Sequence, residues 1–233
     1  MELIGDLGEA ELARAMPGRA VRSYPALLST EAEALAWARA GAAAGAVVAA
    51  EYQASPRGRA GLEWHPHPGR SLAFSLVLRP RLPTHREGWL YVVAVSALAD
   101  VTGGEVDWPD TVPGRGAVGI YSELGPESVE WAVVNVLVER AEPPRAALLA
   151  AVVGSLETRL ADPTTPVLAG YLRRCATIGR PVRARLVPMS PGGPEVAGTA
   201  RTVLADGALV IETDDARRVA VRPQALGVLE PRP

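Results

Sequence analysis

The stretch Tyr52-Gln53-Ala54-Ser55-Pro56-Arg57-Gly58-Arg59-Ala60-Gly61-Leu62-Glu63-Trp64 lies between two apolar runs, residues 47–52 and 72–78. The first run reads as a buried strand, and the second alternates Leu72, Phe74, Leu76 and Leu78 with Ala73, Ser75 and Val77 as another. The linking loop is rich in glycine and arginine. Glycine lets a backbone approach a ligand closely, and two arginines two residues apart can bracket a phosphate or a carboxylate with paired hydrogen bonds. Two readings stay open on these residues alone: an anion-binding loop, or a solvated turn in an arginine-rich chain.

Working outward, Ser29-Thr30 opens a helix. Thr30 with Glu33 makes a capping box, and an alanine-rich run predicts a helix to residue 43. The first 28 residues are too few for a separate DNA-binding helical module. Leu90, Val93, Ala94, Ala97, Leu98 and Val101 recur at helical spacing and predict a core helix over 86–101. Strands are expected at 105–108, 116–123 and 129–139, the last two forming an antiparallel hairpin. Leu148, Leu149, Val152, Val153, Leu156 and Leu160 predict a helix over 146–161, opened by Pro143 and Pro144 and closed before Pro163, with a shorter one over 166–175. From Arg180 the texture becomes short alternating strands, with turns at Gly192-Gly193, Asp206-Gly207 and Asp214-Asp215, which suits a small β-barrel. The expected boundary is Gly179, giving regions 1–179 and 180–233.

The 233 residues are 48% hydrophobic, enough to bury a sizeable core. A net charge of -2 gives no general electrostatic reason to expect nucleic acid or an anionic membrane as partner. No apolar run approaches the ~18 residues of a membrane span. With Cys175 as the sole cysteine there is no internal disulfide and no cysteine-based zinc site, and a cytoplasmic location is expected. All 24 basic residues are arginine, so chemistry that needs a lysine ammonium within this chain is excluded. His65 and His67 flank Pro66 without a third metal ligand in sight, and Ser122, Glu123 and His85 form no recognisable nucleophile-base set. Cys175 reads as a small buried residue at the junction.

Several segments, in order, resemble the biotin–protein ligases. Tyr52-Gln53, Arg57-Gly58-Arg59, Gly61, Trp64, Gly69 and Leu72 are similar to that family's nucleotide and biotin loop. Ser29-Thr30 stands where the family has Ser-Thr-Asn, and Trp108-Pro109-Asp110 where it has Lys-Trp-Pro-Asn-Asp. Val118-Gly119-Ile120 with Glu123 matches the family's Lys-x-Ala-Gly-Ile-x-x-Glu strand, and Asn135 its Gly-x-Asn strand. Residues 174–179 resemble its junction into a C-terminal SH3-like barrel. The resemblance covers about residues 25–229 and implies an α+β fold: a class II synthetase-like mixed, largely antiparallel sheet flanked by helices, then the barrel.

By resemblance, biotin and Mg-ATP form biotinyl-adenylate, and a lysine of a biotin carboxyl carrier domain then takes the biotin. A homodimer is compatible with the resemblance; DNA and membrane are not expected partners. The residues assigned by it are Arg57, Arg59 and, as a substitute cation, Arg115 for catalysis. For ligand binding they are Ser29, Thr30, Gln53, Gly58, Gly61 and Trp64, with Trp108, Asp110, Gly119 and Asn135. This chain departs from the pattern where charge matters. The family's two lysines are here Asp107 and Gly116, the helix-start asparagine is Glu31, the glycine before Arg57 is Pro56, and a later loop arginine is Leu62. A carboxylate in place of an ammonium beside a triphosphate is adverse by several kcal/mol, taking an ion pair at contact with an effective dielectric of ~20. Trp131 and Val133 replace glycines at the floor of the expected biotin pocket. The expectation is a ligase-like protein with weakened or lost adenylation, a pseudoenzyme or a binder of another ligand. The alternative is an active ligase in which Arg115 replaces a lysine.

Overall fold

A computed structural model describes residues 5–190 and 192–232. In chain order the elements are α1 (Glu9–Ala15), β1 (Val21–Leu27), α2 (Thr30–Arg39), β2 (Val47–Gln53), β3 (Leu72–Leu78), α3 (Trp89–Thr102), β4 (Thr111–Val112), β5 (Gly116–Leu124), β6 (Val129–Val138), α4 (Arg145–Ala161) and α5 (Thr164–Arg174). Then follow β7 (Pro181–Leu186), β8 (Glu195–Val203), β9 (Leu209–Glu212), β10 (Arg218–Val221) and β11 (Leu226–Pro231). The first sheet runs β1-β2-β3-β6-β5-β4, and the second β10-β9-β8-β7-β11. Among the described strands only β1 and β2 pair in parallel; the other ladders are antiparallel. The fold is therefore mixed α+β with antiparallel pairing dominant. Among the described residues no helix is long and apolar enough to cross a membrane.

Alternation along β6 divides the core in two. Ala132, Val134, Val136 and Val138 join the cluster built on α3 and α4, whereas Trp131 and Val133 pack beneath α2 against Ala34, Ala38, Val48 and Val77. Each fully buried aliphatic or aromatic side chain contributes about 1.5–3 kcal/mol, so the sheet is held from both faces. All of Trp89 to Ala99 in α3 is buried, and the helix is apolar all round because α4, α5 and β5 enclose it. The larger cluster continues into the second sheet through Val182, Ala184, Leu209, Ile211 and Leu226, so one core spans both sheets.

The hairpin of β5 and β6 and the helices expected over 86–101, 146–161 and 166–175 are present, the first of them starting only at Trp89. Four local expectations need correction. The cap of α2 is Ser29, whose hydroxyl accepts from Ala32 N–H at 3.1 Å; Thr30 is buried with its hydroxyl turned to Gln53. The helix ends at Arg39 rather than 43. Gly41, at φ +90°, donates to Ala38 while Ala42 donates to Trp37, closing the last turn in a left-handed cap. No regular strand forms at 105–108; Val106 and Trp108 bond instead to Arg174, Ala176 and Thr177, and the strand there is β4. Finally, β1 was not expected: its Pro25 and part-exposed pattern hide an edge strand from periodicity.

Candidate functional site

The face of the first sheet beneath α2 carries a buried polar chain. Thr30 N–H donates to Gln53 Oε1 at 2.8 Å, and Thr30 Oγ1 lies 3.2 Å from the same oxygen. Gln53 Nε2 in turn donates to the Ala73 carbonyl at 3.3 Å. Ser75 Oγ stands 2.8 Å from both Thr30 Oγ1 and Asn135 Oδ1, and its single proton serves one of them at a time. Asn135 Nδ2 donates to Glu31 Oε2 at 2.6 Å. Ser29, Thr30, Gln53, Ser75 and Asn135 are all buried. Glu31 is partly buried, and that burial pushes its carboxyl above the ordinary range, opposed by the hydrogen bond from Asn135. Of the groups the sequence nominates as ligand contacts, Thr30, Gln53 and Asn135 are thus brought together here, Thr30 bonded to Gln53 and joined to Asn135 through Ser75. Trp131 and Val133 fill the adjoining volume under α2, with Tyr121 stacked 5.8 Å from Trp131.

The glycine-arginine loop lies over this face. A Cβ on Gly119 would come within 3.0–3.1 Å of the Gly58 and Arg59 backbone, so the glycine at 119 is what lets the loop sit down on β5. Trp64 packs against Gly58 so closely that a side chain there would strike the indole. Gly61 takes φ +75° in the turn. The two arginines separate sharply. Arg57 is 41% exposed and reaches Glu63 at 2.8 Å and the Gly61 carbonyl at 3.3 Å. Arg59 is only 6% exposed, and its Nε donates to Asp110 at 2.7 Å. The Arg59 Nη1 donates to the carbonyls of Leu226 and Gly227 at the start of β11. Arg59 is therefore a strut between loop, Trp108-Pro109-Asp110 turn and second sheet.

Below that strut a cavity of about 640 Å³ opens at the junction, walled by Leu62 and Trp64 on one side and Val182 and Val228 on the other. Asp107 lies on its rim and meets Arg180 at 3.4 Å. Trp108 is buried; its N–H bonds Thr177 and its indole nitrogen donates to Gly207, fixing the turn to the second sheet. Arg115 is exposed in the turn before β5, with its stem 3.8 Å from where a Cβ of Gly104 would stand.

A second cavity of about 870 Å³ is lined by His65, His67, Arg70, Glu139 and Arg140, among others. Among the described residues no group of three or more His, Cys, Asp or Glu is placed to hold a metal ion. Cys175 is buried and its thiol is pushed up by burial, with the Tyr171 hydroxyl opposing, so it is a weak nucleophile. The sequence reading missed Ser75 and Arg180. A lone serine at the centre of an apolar strand was a usable signal for the first; nothing local distinguished Arg180 from its many neighbours of the same type.

No protein-family model matches the chain. The sequence is 30% identical over 135 residues to the bifunctional ligase/repressor BirA of Bacillus subtilis, over 53% of this chain and 42% of that protein. The match spans less than half the length of the curated relatives. In structure it is similar to the biotin protein ligase of Aquifex aeolicus in complex with biotin and ATP, with a TM-score of 0.68 and 17% identity over 91% of this chain and 99% of the other. It is also similar to a biotin protein ligase-like protein of unknown function from Silicibacter sp. TM1040, with a TM-score of 0.63 and 14% identity over 89% and 96% of the two chains.

Proposed function

We propose that this chain, a member of the biotin protein ligase family, uses the family fold to bind a small molecule, with biotin adenylation weakened or lost. The observation that carries this is the state of Arg59. Adenylation joins two anions, and positioned cations facing the reacting groups lower its barrier. Arg59 already answers one carboxylate and two carbonyls, and freeing it would leave the part-buried Asp110 without its cation. Arg57 is spent on Glu63 and Arg232 on Asp214. Arg59, Arg57 and Arg232 are thus each matched to an acid of this chain, which leaves fewer cations free to face the reacting groups of an adenylation. The biotin half is adverse as well: Trp131 and Val133 occupy the floor, and the polar groups are mutually satisfied. Residues 180–233 are read as the SH3-like module and residues 1–179 as the ligase-like region.

The test is direct. Purified protein with Mg-ATP, biotin and a biotin carboxyl carrier domain should give no labelling above background, and calorimetry should show no micromolar binding of biotin. Labelling that disappears in Arg115→Ala would instead establish the active ligase in which Arg115 stands in for a lysine.

A further inference from the structure

The junction cavity draws its walls from both sheets, and its charges are not equally committed. Arg59 makes three bonds from a buried position, and Arg232 is paired with both oxygens of Asp214 at 2.9 and 2.7 Å. Arg180 differs. Its side chain is 57% exposed, and it makes a single contact, at 3.4 Å, with an Asp107 that is itself 39% exposed. An exposed, single-contact ion pair is weak and easily exchanged for another anion, whereas a buried network is not. Arg180 also stands on the second-sheet wall, facing the turn where the sequence puts a carboxylate instead of a cation.

We propose that Arg180 is the anion-binding residue of the junction cavity, and that Asp107 is its internal competitor. A small molecule carrying a phosphate or carboxylate binds by taking the Arg180 guanidinium from Asp107, while its apolar part lies against Leu62, Trp64 and Val228. Asp107 thus sets the affinity by occupying the cation rather than by touching the ligand. This deepens the reading of the protein as a small-molecule binder. The labelling assay decides the loss of adenylation; the experiment below needs neither biotin nor a carrier, so the two can fail separately.

The probe is ATP without carrier, followed by quenching of tryptophan fluorescence and by calorimetry. Arg180→Ala should weaken binding at least about tenfold, and Asp107→Asn should tighten it about fivefold by releasing the guanidinium. In Arg180→Ala/Asp107→Asn the gain from the asparagine should vanish, because there is no longer a cation to release. Both side chains are exposed, so unchanged thermal unfolding of each variant should confirm the fold. An undiminished gain from Asp107→Asn in the Arg180→Ala background would overturn the proposal, since Asp107 would then be acting by direct repulsion. So would a failure of both the parent and Asp107→Asn to bind ATP at millimolar concentration.

Discussion

The two parts of the cleft solve the same problem in opposite ways. Under α2, Thr30, Gln53, Ser75 and Asn135 satisfy one another in a buried chain, and Trp131 and Val133 take up the space beside them. At the junction a cavity of about 640 Å³ stays open and its rim charges, Asp107 and Arg180, are exposed. Burial is the difference. A polar group removed from water must find a partner inside the protein, so the α2 face closes on itself, while solvent lets the junction leave its charges loosely held. The closed part reads as structure, and the open part is the one to which the proposed ligand is assigned.

Arg59 bridges the two parts and offers the strongest way to break the contrast. Arg59→Met should cost about 3–5 kcal/mol, because it strands the part-buried Asp110 and frees β11 from the loop. Urea unfolding measures this, and Asp110→Asn in the same chain should restore part of the loss; a cost below about 1 kcal/mol would make Arg59 a loosely held cation after all. Val133→Ala tests the closed face. Removing two buried methyl groups beneath α2 should cost about 2 kcal/mol, read in the same unfolding experiment, and a neutral result would mean that the space is not packed.

The smallest effect is expected at Glu31, and its sign is opposite. Burial raises its carboxyl above 4.5, so the native state keeps the proton to higher pH than the unfolded chain does. Stability contributed by this group is therefore complete below that value and falls as pH rises through the raised one. Glu31→Gln keeps an acceptor for Asn135 and removes the part-buried charge, so it should stabilise the fold near neutral pH, read as a rise in Tm. Below about pH 4 the two proteins should melt together. Equal melting across the whole range would show that Glu31 is as well solvated as a surface carboxylate.

Periodicity and punctuation in the sequence determined the apolar elements: β3, the β5–β6 hairpin, α3 and α4, where alternation or helical spacing is long and unbroken. Gln53, Gly119 and Asn135 were singled out by the family resemblance, and Gly58 also by its place in a glycine- and arginine-rich loop. What those residues do was not legible. Arg57 and Arg59 are chemically identical and two positions apart, yet one is solvated and the other fixed to carbonyls 167 and 168 residues away. Arg180 meets Asp107 across 73 residues, and Thr30 meets Ser75 across 45. Local sequence sets which backbone conformations are cheap. The folded chain alone decides which charges are left facing water and which have already found their partners, because burial and pairing are properties of surfaces brought together from distant segments.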